Sequence, residues 1–147
     1  MKLYIDCEFN GYGGEFISLA LVADDLSAIF FYEAVKCENP VPWVAENVLP
    51  VLDIEPVTID ELRQRLAKFL SQWDSLEIIA DCPADIKNFC HVVVDYKGVR
   101  VRLPVGTRFT LRNDGPPTAQ TSTQPHNALH DAIALRRTIR EIDAVRA

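Results

Sequence analysis

The chain has 147 residues, 48% of them hydrophobic, with 15 basic and 21 acidic side chains and a formal net charge of −6. That is enough chain for one domain with a sizeable core, and the mixed composition excludes a disordered polypeptide. The acidic balance argues against a surface that binds nucleic acid indiscriminately. No stretch approaches the ~18–20 apolar residues of a membrane span.

The first predicted element is a strand, Lys2-Leu3-Tyr4-Ile5-Asp6-Cys7-Glu8-Phe9. Leu3, Ile5, Cys7 and Phe9 alternate with Tyr4, Asp6 and Glu8, so the two carboxylates point to one face, roughly 7 Å apart. No signal-peptide pattern precedes the strand, and a cytoplasmic protein without membrane association is expected. Asn10 to Glu15 carries three glycines and reads as a turn. It lacks the spacing of a Walker or dinucleotide loop. Phe16 to Ala23 reads as a second strand, Asp24 to Ser27 as a hairpin turn, and Ala28 to Val35 as a third strand. Three strands so close in sequence predict an antiparallel meander.

Pro40 and Pro42 break the pattern before a short helix from Trp43 to Leu49. Thr58 and Glu61 form a capping box ahead of an amphipathic helix carrying Leu62, Leu66, Phe69, Leu70 and Trp73. Leu76 to Ala80 reads as a buried strand. A helix with Pro83 in its first turn follows, capped by Asp81 or Cys82, with Ile86, Phe89, Cys90 and Val93 on its apolar face. Val99 to Leu103 alternates like a strand, and Arg108 to Arg112 is a further strand candidate. From Lys97 to Arg112 the chain is basic without an acidic residue, so Arg108 and Arg112 are candidate phosphate contacts. The solvated face of a strand pair is the equal alternative. Thr118 to Gln124 is polar without periodicity and predicts a mobile loop. The last helix runs from about Asn127 to Val145. Hairpin strands followed by strand–helix alternation predict one α/β domain, residues 1–147, with a mixed sheet flanked by helices.

Cys7, Cys37, Cys82 and Cys90 lack CxxC spacing and read as reduced thiols. Cys82 with Cys90-His91 fits no structural zinc pattern. The carboxylates are more informative. A strand among apolar neighbours is a poor place for Asp6 and Glu8 unless a cation neutralises them, and hard cations prefer carboxylate oxygens. Asp85 and Asp131 each fall in a first helical turn, where the helix dipole already favours an acid. With Asp6 and Glu8 they could converge at one edge of a sheet. His126 lies five residues before Asp131, about 140° away on a continuous helix. In the lead-in after Pro125 it is free to face the same site. An HxxxH pair with His130 is the competing use of this histidine.

Asp6-Cys7-Glu8 resembles the DxE motif of the DEDDh 3′–5′ exonucleases, and His126 to Ala132 resembles their HxAxxDA motif. Asp81 to Asp85 is similar to the second-motif region, although Ala84 replaces the usual aromatic residue. Asp81 therefore stands as the alternative to Asp85. The resemblance spans essentially the whole chain and is nearest the compact bacterial and phage exoribonucleases. It implies a ribonuclease H-like fold and two Mg²⁺ or Mn²⁺ ions held by Asp6, Glu8, Asp85 and Asp131, with His126 as general base. It also implies hydrolysis from single-stranded 3′ ends, RNA ahead of DNA, and a homodimer, since family members are often dimers. Phe9 and Asn10 lie where the family contacts the 3′-terminal nucleotide, although Phe9 also suits the core face of its strand. A ribonuclease H-like module that binds nucleic acid or a partner without cutting is the alternative of a different class. An internally cutting nuclease would share the carboxylates without needing His126.

Overall fold

The structure is a computed structural model that describes residues 1–25 and 29–147. Strands β1 (Lys2–Phe9), β2 (Phe16–Ala23) and β3 (Phe30–Ala34) form the expected antiparallel meander. Leu26 and Ser27 of the predicted hairpin turn, and Ala28 of the predicted third strand, lie outside the described residues. Next come a short helix α1 (Pro42–Asn47), a 3-10 turn over Leu49–Val51, helix α2 (Ile59–Leu70), strand β4 (Glu77–Ala80) and helix α3 (Pro83–Val93). A small hairpin of β5 (Val94–Asp95) and β6 (Gly98–Val99) leads to strand β7 (Arg108–Leu111), a one-turn helix α4 (Thr118–Thr121) and the long helix α5 (Ala128–Arg146). The five-stranded mixed sheet has the order β3-β2-β1-β4-β7, with β4 parallel to β1 and β7 parallel to β4.

The alternation in β1 divides the molecule into layers. Leu3, Ile5 and Cys7 face a core built with Leu62, Leu66 and Leu70 of α2 and Phe89 and Val92 of α3. Tyr4, on the opposite face, packs with Ile79 against Leu135 and Ile139 of α5. Ala128 and Ala132, one turn apart, let the start of α5 approach Ala20 and Val22 of β2 closely. Helix α2 begins at Thr58 because the capping box forms: Thr58 Oγ1 accepts from the Glu61 amide at 3.2 Å, and the Glu61 carboxylate accepts from the Thr58 amide at 3.0 Å. Leu62, Leu66 and Leu70 are fully buried, so truncating one to alanine would cost about 2–5 kcal/mol.

The structure departs from the sequence reading in three places. Val99 to Leu103 does not join the main sheet. The Arg100 and Val101 amides both donate to Val93 O, folding this stretch back on the end of α3, and Val101 is buried there. Thr118 to Thr121 forms a helical turn where a mobile loop was expected. Cys90 is exposed, and the buried face of α3 runs through Asp85, Asn88, Phe89, Val92 and Val93 instead. Asn88 is accommodated because its side-chain amide donates to Ala84 O at 2.9 Å.

Strand β1 continues into β2 on one side and borders β4 on the other. The carboxyl ends of β1 and β4 therefore flank the point where the strand order changes direction, the usual place for a site in an α/β sheet. Among the described residues no helix is long and apolar enough to cross a membrane.

Candidate metal centre

A cleft of about 300 Å³ opens at this switch point, lined by Asp6, Glu8, Phe9, Asp81, Asp85, His126 and Asp131, with Cys7, Cys82 and residues of α4 completing the wall. Each acidic side chain arrives for a local reason. Asp6 and Glu8 end β1 on the face that receives α5. Asp85 sits in the first turn of α3, where Oδ1 accepts from the Cys7 amide at 3.1 Å, tying that helix to β1. Asp131 is in the first turn of α5. That helix starts at Asn127, whose Oδ1 accepts from the Leu129 and His130 amides and whose Nδ2 donates to Val51 O at 2.7 Å. Asn127 thus caps α5 and anchors its start to the chain after α1.

His126 lies just outside α5 with a φ of 68°, a left-handed conformation uncommon for a residue with a side chain. Its amide donates to Asp131 Oδ2 at 3.0 Å, which compensates the backbone and points the carboxylate toward the cleft. The imidazole meets the Trp43 ring edge-to-face, with centres 4.8 Å apart. His130 does not join. Its Nδ1 is 2.7 Å from Thr123 Oγ1, outside the cleft.

The carboxylates lack the partners that buried charges need. Asp6, Asp85 and Asp131 are 8%, 3% and 4% exposed. Among the described residues Asp6 Oδ2, Asp85 Oδ2 and Asp131 Oδ1 have no hydrogen-bond partner. Among the described residues no lysine or arginine lines the cleft. Burial first, then repulsion from Asp85, Glu8 and Asp131, pushes Asp6 well above the usual carboxylate range. Burial, with repulsion from Asp131 and Asp85, raises Glu8 to about 8. Asp85 rises to about 7 through burial and the nearby Asp81, offset in part by the Cys7 amide. Burial also raises Asp81 and Asp131. Two groups of side chains could hold a metal ion: Glu8, His126 and Asp131, and Asp6, Asp81 and Asp85. Within each group the ligand atoms lie within 4.8 Å of one another. Three orphaned, buried carboxylate oxygens suit a hard divalent cation, which would satisfy them and remove the repulsion together.

Other expected site residues are placed differently. The Asn10 side chain is engaged with the backbone, donating to Asn39 O and accepting from the Val41 amide, both at 2.8 Å. It fixes the β1–β2 turn to the segment that carries Trp43. Phe9 does not join the core below β1. A bulge between Glu8 and Phe9 breaks the alternation there, leaving the ring in the wall of the cleft and of a neighbouring 270 Å³ pocket with Tyr12 and Lys87. Arg108 pairs in register with Glu77 at the start of β4, the end of that strand remote from the cleft. Arg112 has its backbone beside Ala80, but its guanidinium turns to Asp114 and Asp143. The basic segment is further divided, since Arg100 pairs with Asp95 and Asp60 on the opposite side of the sheet. Trp43 was read in the sequence only as the start of a helix. Nothing local to it signals a contact with a histidine 83 positions away.

No protein-family model matches this chain, and no curated protein matches it.

Proposed function

We propose that the chain is a metal-dependent 3′–5′ exonuclease with a ribonuclease H-like fold, acting on single-stranded 3′ ends, RNA ahead of DNA. The observation that carries this reading is the convergence of Asp6, Glu8, Asp85 and Asp131 with His126 in one cleft, with three buried carboxylate oxygens left without partners. The DxE and HxAxxDA resemblances account for four of these residues, Asp6, Glu8, His126 and Asp131, and the second-motif region, where Ala84 departs from the pattern, supplies Asp85; the strand order accords with the fold they imply.

Asp6, Glu8, Asp85 and Asp131 would hold two divalent cations, Mg²⁺ or Mn²⁺. When bound, these would supply positive charge to the attacking and leaving oxygens of an in-line displacement at phosphorus. His126 takes the proton of the attacking water at an imidazole nitrogen; one of its nitrogens lies within 4.8 Å of a carboxylate oxygen of Glu8 and of Asp131. Its amide bond to Asp131 and its contact with Trp43 hold the ring at the mouth of the cleft, so little reorientation is needed before proton transfer. Phe9 offers an aromatic face at the wall, where a terminal base can stack. The acidic surface elsewhere suits an enzyme that takes up chain ends rather than coating a polymer.

The test is incubation of single-stranded RNA labelled at its 5′ or its 3′ end, with Mn²⁺ or with chelator. Mononucleotide released first from the 3′ label, and abolished by chelator, is the expected result. Cleavage that persists on a 3′-blocked substrate would move the assignment to an internally cutting nuclease. No cleavage of RNA or DNA with either metal would favour a binding module.

A further inference from the structure

Asp81 is a carboxylate that the four-ligand scheme leaves without a task. Strands β1 and β4 run parallel with Leu3 opposite Ile78 and Tyr4 opposite Ile79. Further along, Asp6 follows in β1 and Asp81 is the first residue past the end of β4. Like charges brought close together in a buried cleft repel one another. One side-chain oxygen from each of Asp6, Asp81 and Asp85 lies within 4.8 Å of the other two. Asp6 Oδ2 and Asp85 Oδ2, both buried, have no hydrogen-bond partner among the described residues. A cation about 2.1 Å from each ligand sets neighbouring ligand oxygens about 3.0 Å apart and opposite ones about 4.2 Å apart. Small side-chain rotations would bring three oxygens already so close around one ion. Glu8, Asp131 and His126 form a separate group across the cleft.

We infer that Asp81 is a direct ligand, so that this chain holds one of its two cations through three carboxylates, Asp6, Asp81 and Asp85, rather than choosing between Asp81 and Asp85. The inference rests on the metal centre proposed above but not on its hydrolytic use. It gives the second cation position a protein cage that is independent of substrate phosphate, so both positions fill before RNA arrives. Thr118, at the start of α4, lines the cleft together with Asp81, and bracing α4 is the competing role for that carboxylate, so the test separates the two roles.

The test is calorimetric titration of the full metal-free chain with MnCl₂, without nucleic acid. The wild type is expected to bind two Mn²⁺. Asp81→Asn should keep one site unchanged and weaken the other at least about tenfold, with a melting temperature no lower than that of the metal-free wild type. Asp81→Glu should recover part of the weakened site, which separates loss of a ligand from loss of fold. Thr118→Val should bind as the wild type does. Two undisturbed sites in Asp81→Asn would overturn the inference, as would the same loss in Thr118→Val, which would make Asp81 a strut for α4. A wild type that binds two Mn²⁺ but cuts no RNA sinks the exonuclease and leaves this ligand assignment standing. A wild type that binds none overturns both.

Discussion

Asp114 and Asp143 lie beside Arg112 and Arg146, joined by contacts of 2.9, 2.9 and 2.6 Å, whereas Asp6, Glu8, Asp85 and Asp131 share a cleft in which no basic side chain but His126 takes part. In the first region hydrogen bonds from Arg112 hold both carboxyls below the usual range. In the second, burial raises every carboxyl, and repulsion from neighbouring carboxylates adds to it at Asp6, Glu8 and Asp85. The same residue types thus serve opposite ends. Exposed pairs are neutralised within the chain, cost little to form and add little. Buried acids left unneutralised weaken the fold by themselves, and their charge is matched only when something from outside brings the opposite sign.

Breaking the acidic region should have the largest consequences. Asp6→Asn or Asp131→Asn should lower RNA hydrolysis at least about a thousandfold while the circular dichroism spectrum stays that of the wild type. Either purified variant cutting RNA at an undiminished rate would remove these residues from the site. His126→Ala should lose about a hundredfold or more in rate yet retain Mn²⁺ stoichiometry, a split visible by pairing single-turnover kinetics with titration. An intermediate effect is expected from Asn127→Ala, which removes the α5 cap and the tie to Val51. It should lower stability by about 2 kcal/mol in urea unfolding and loosen His126.

The two regions should also respond oppositely to pH. Glu8 and Asp85 have folded-state pKa values of about 8 and about 7, against ordinary values of 4.5 and 3.8. Groups raised in this way favour the folded state at low pH, and that contribution is lost as pH rises through the folded values. The metal-free protein should therefore melt at least about 5 °C lower at pH 8.5 than at pH 5.5, and Asp85→Asn should reduce the difference. Asp114 and Asp143 have lowered values, so their contribution is present above the ordinary carboxylate pKa and is lost as pH falls below it. The smallest effect belongs to this belt. Arg112→Ala should shift the melting temperature by under about 3 °C, and less in high salt. A larger shift that survives salt would erase the contrast between the regions.

Most of the fold could be read from the sequence because its signals are local: the alternation in β1, the Thr58–Glu61 capping box and the apolar spacing of α2. The site was legible to the extent that carboxylates at a strand end and at two helix starts mark positions that an α/β sheet brings together. What could not be read depends on register and direction. Asp81 and Asp85 read as alternatives in the sequence because nothing local to them shows that each has an oxygen within 4.8 Å of Asp6. Arg108 suited a phosphate contact until the direction of β7 put it at the far end of the sheet. Asn10 carried no sign of its bonds to Asn39 and Val41, nor Trp43 of its contact with His126, because each contact joins segments distant in sequence. The bulge at Glu8 and Phe9 hid in a regular alternation, and the single turn of α4 is shorter than any periodicity can register.

Thermal unfolding of the full chain at pH 8, metal-free and with Mn²⁺, tests most directly whether the cleft is a cation site. The wild type should melt at least about 5 °C higher with millimolar Mn²⁺, and Asp6→Asn should lose most of that gain while melting no lower than the wild type without metal. A wild-type melting temperature unmoved by Mn²⁺, or a gain that Asp6→Asn fully retains, would contradict the account.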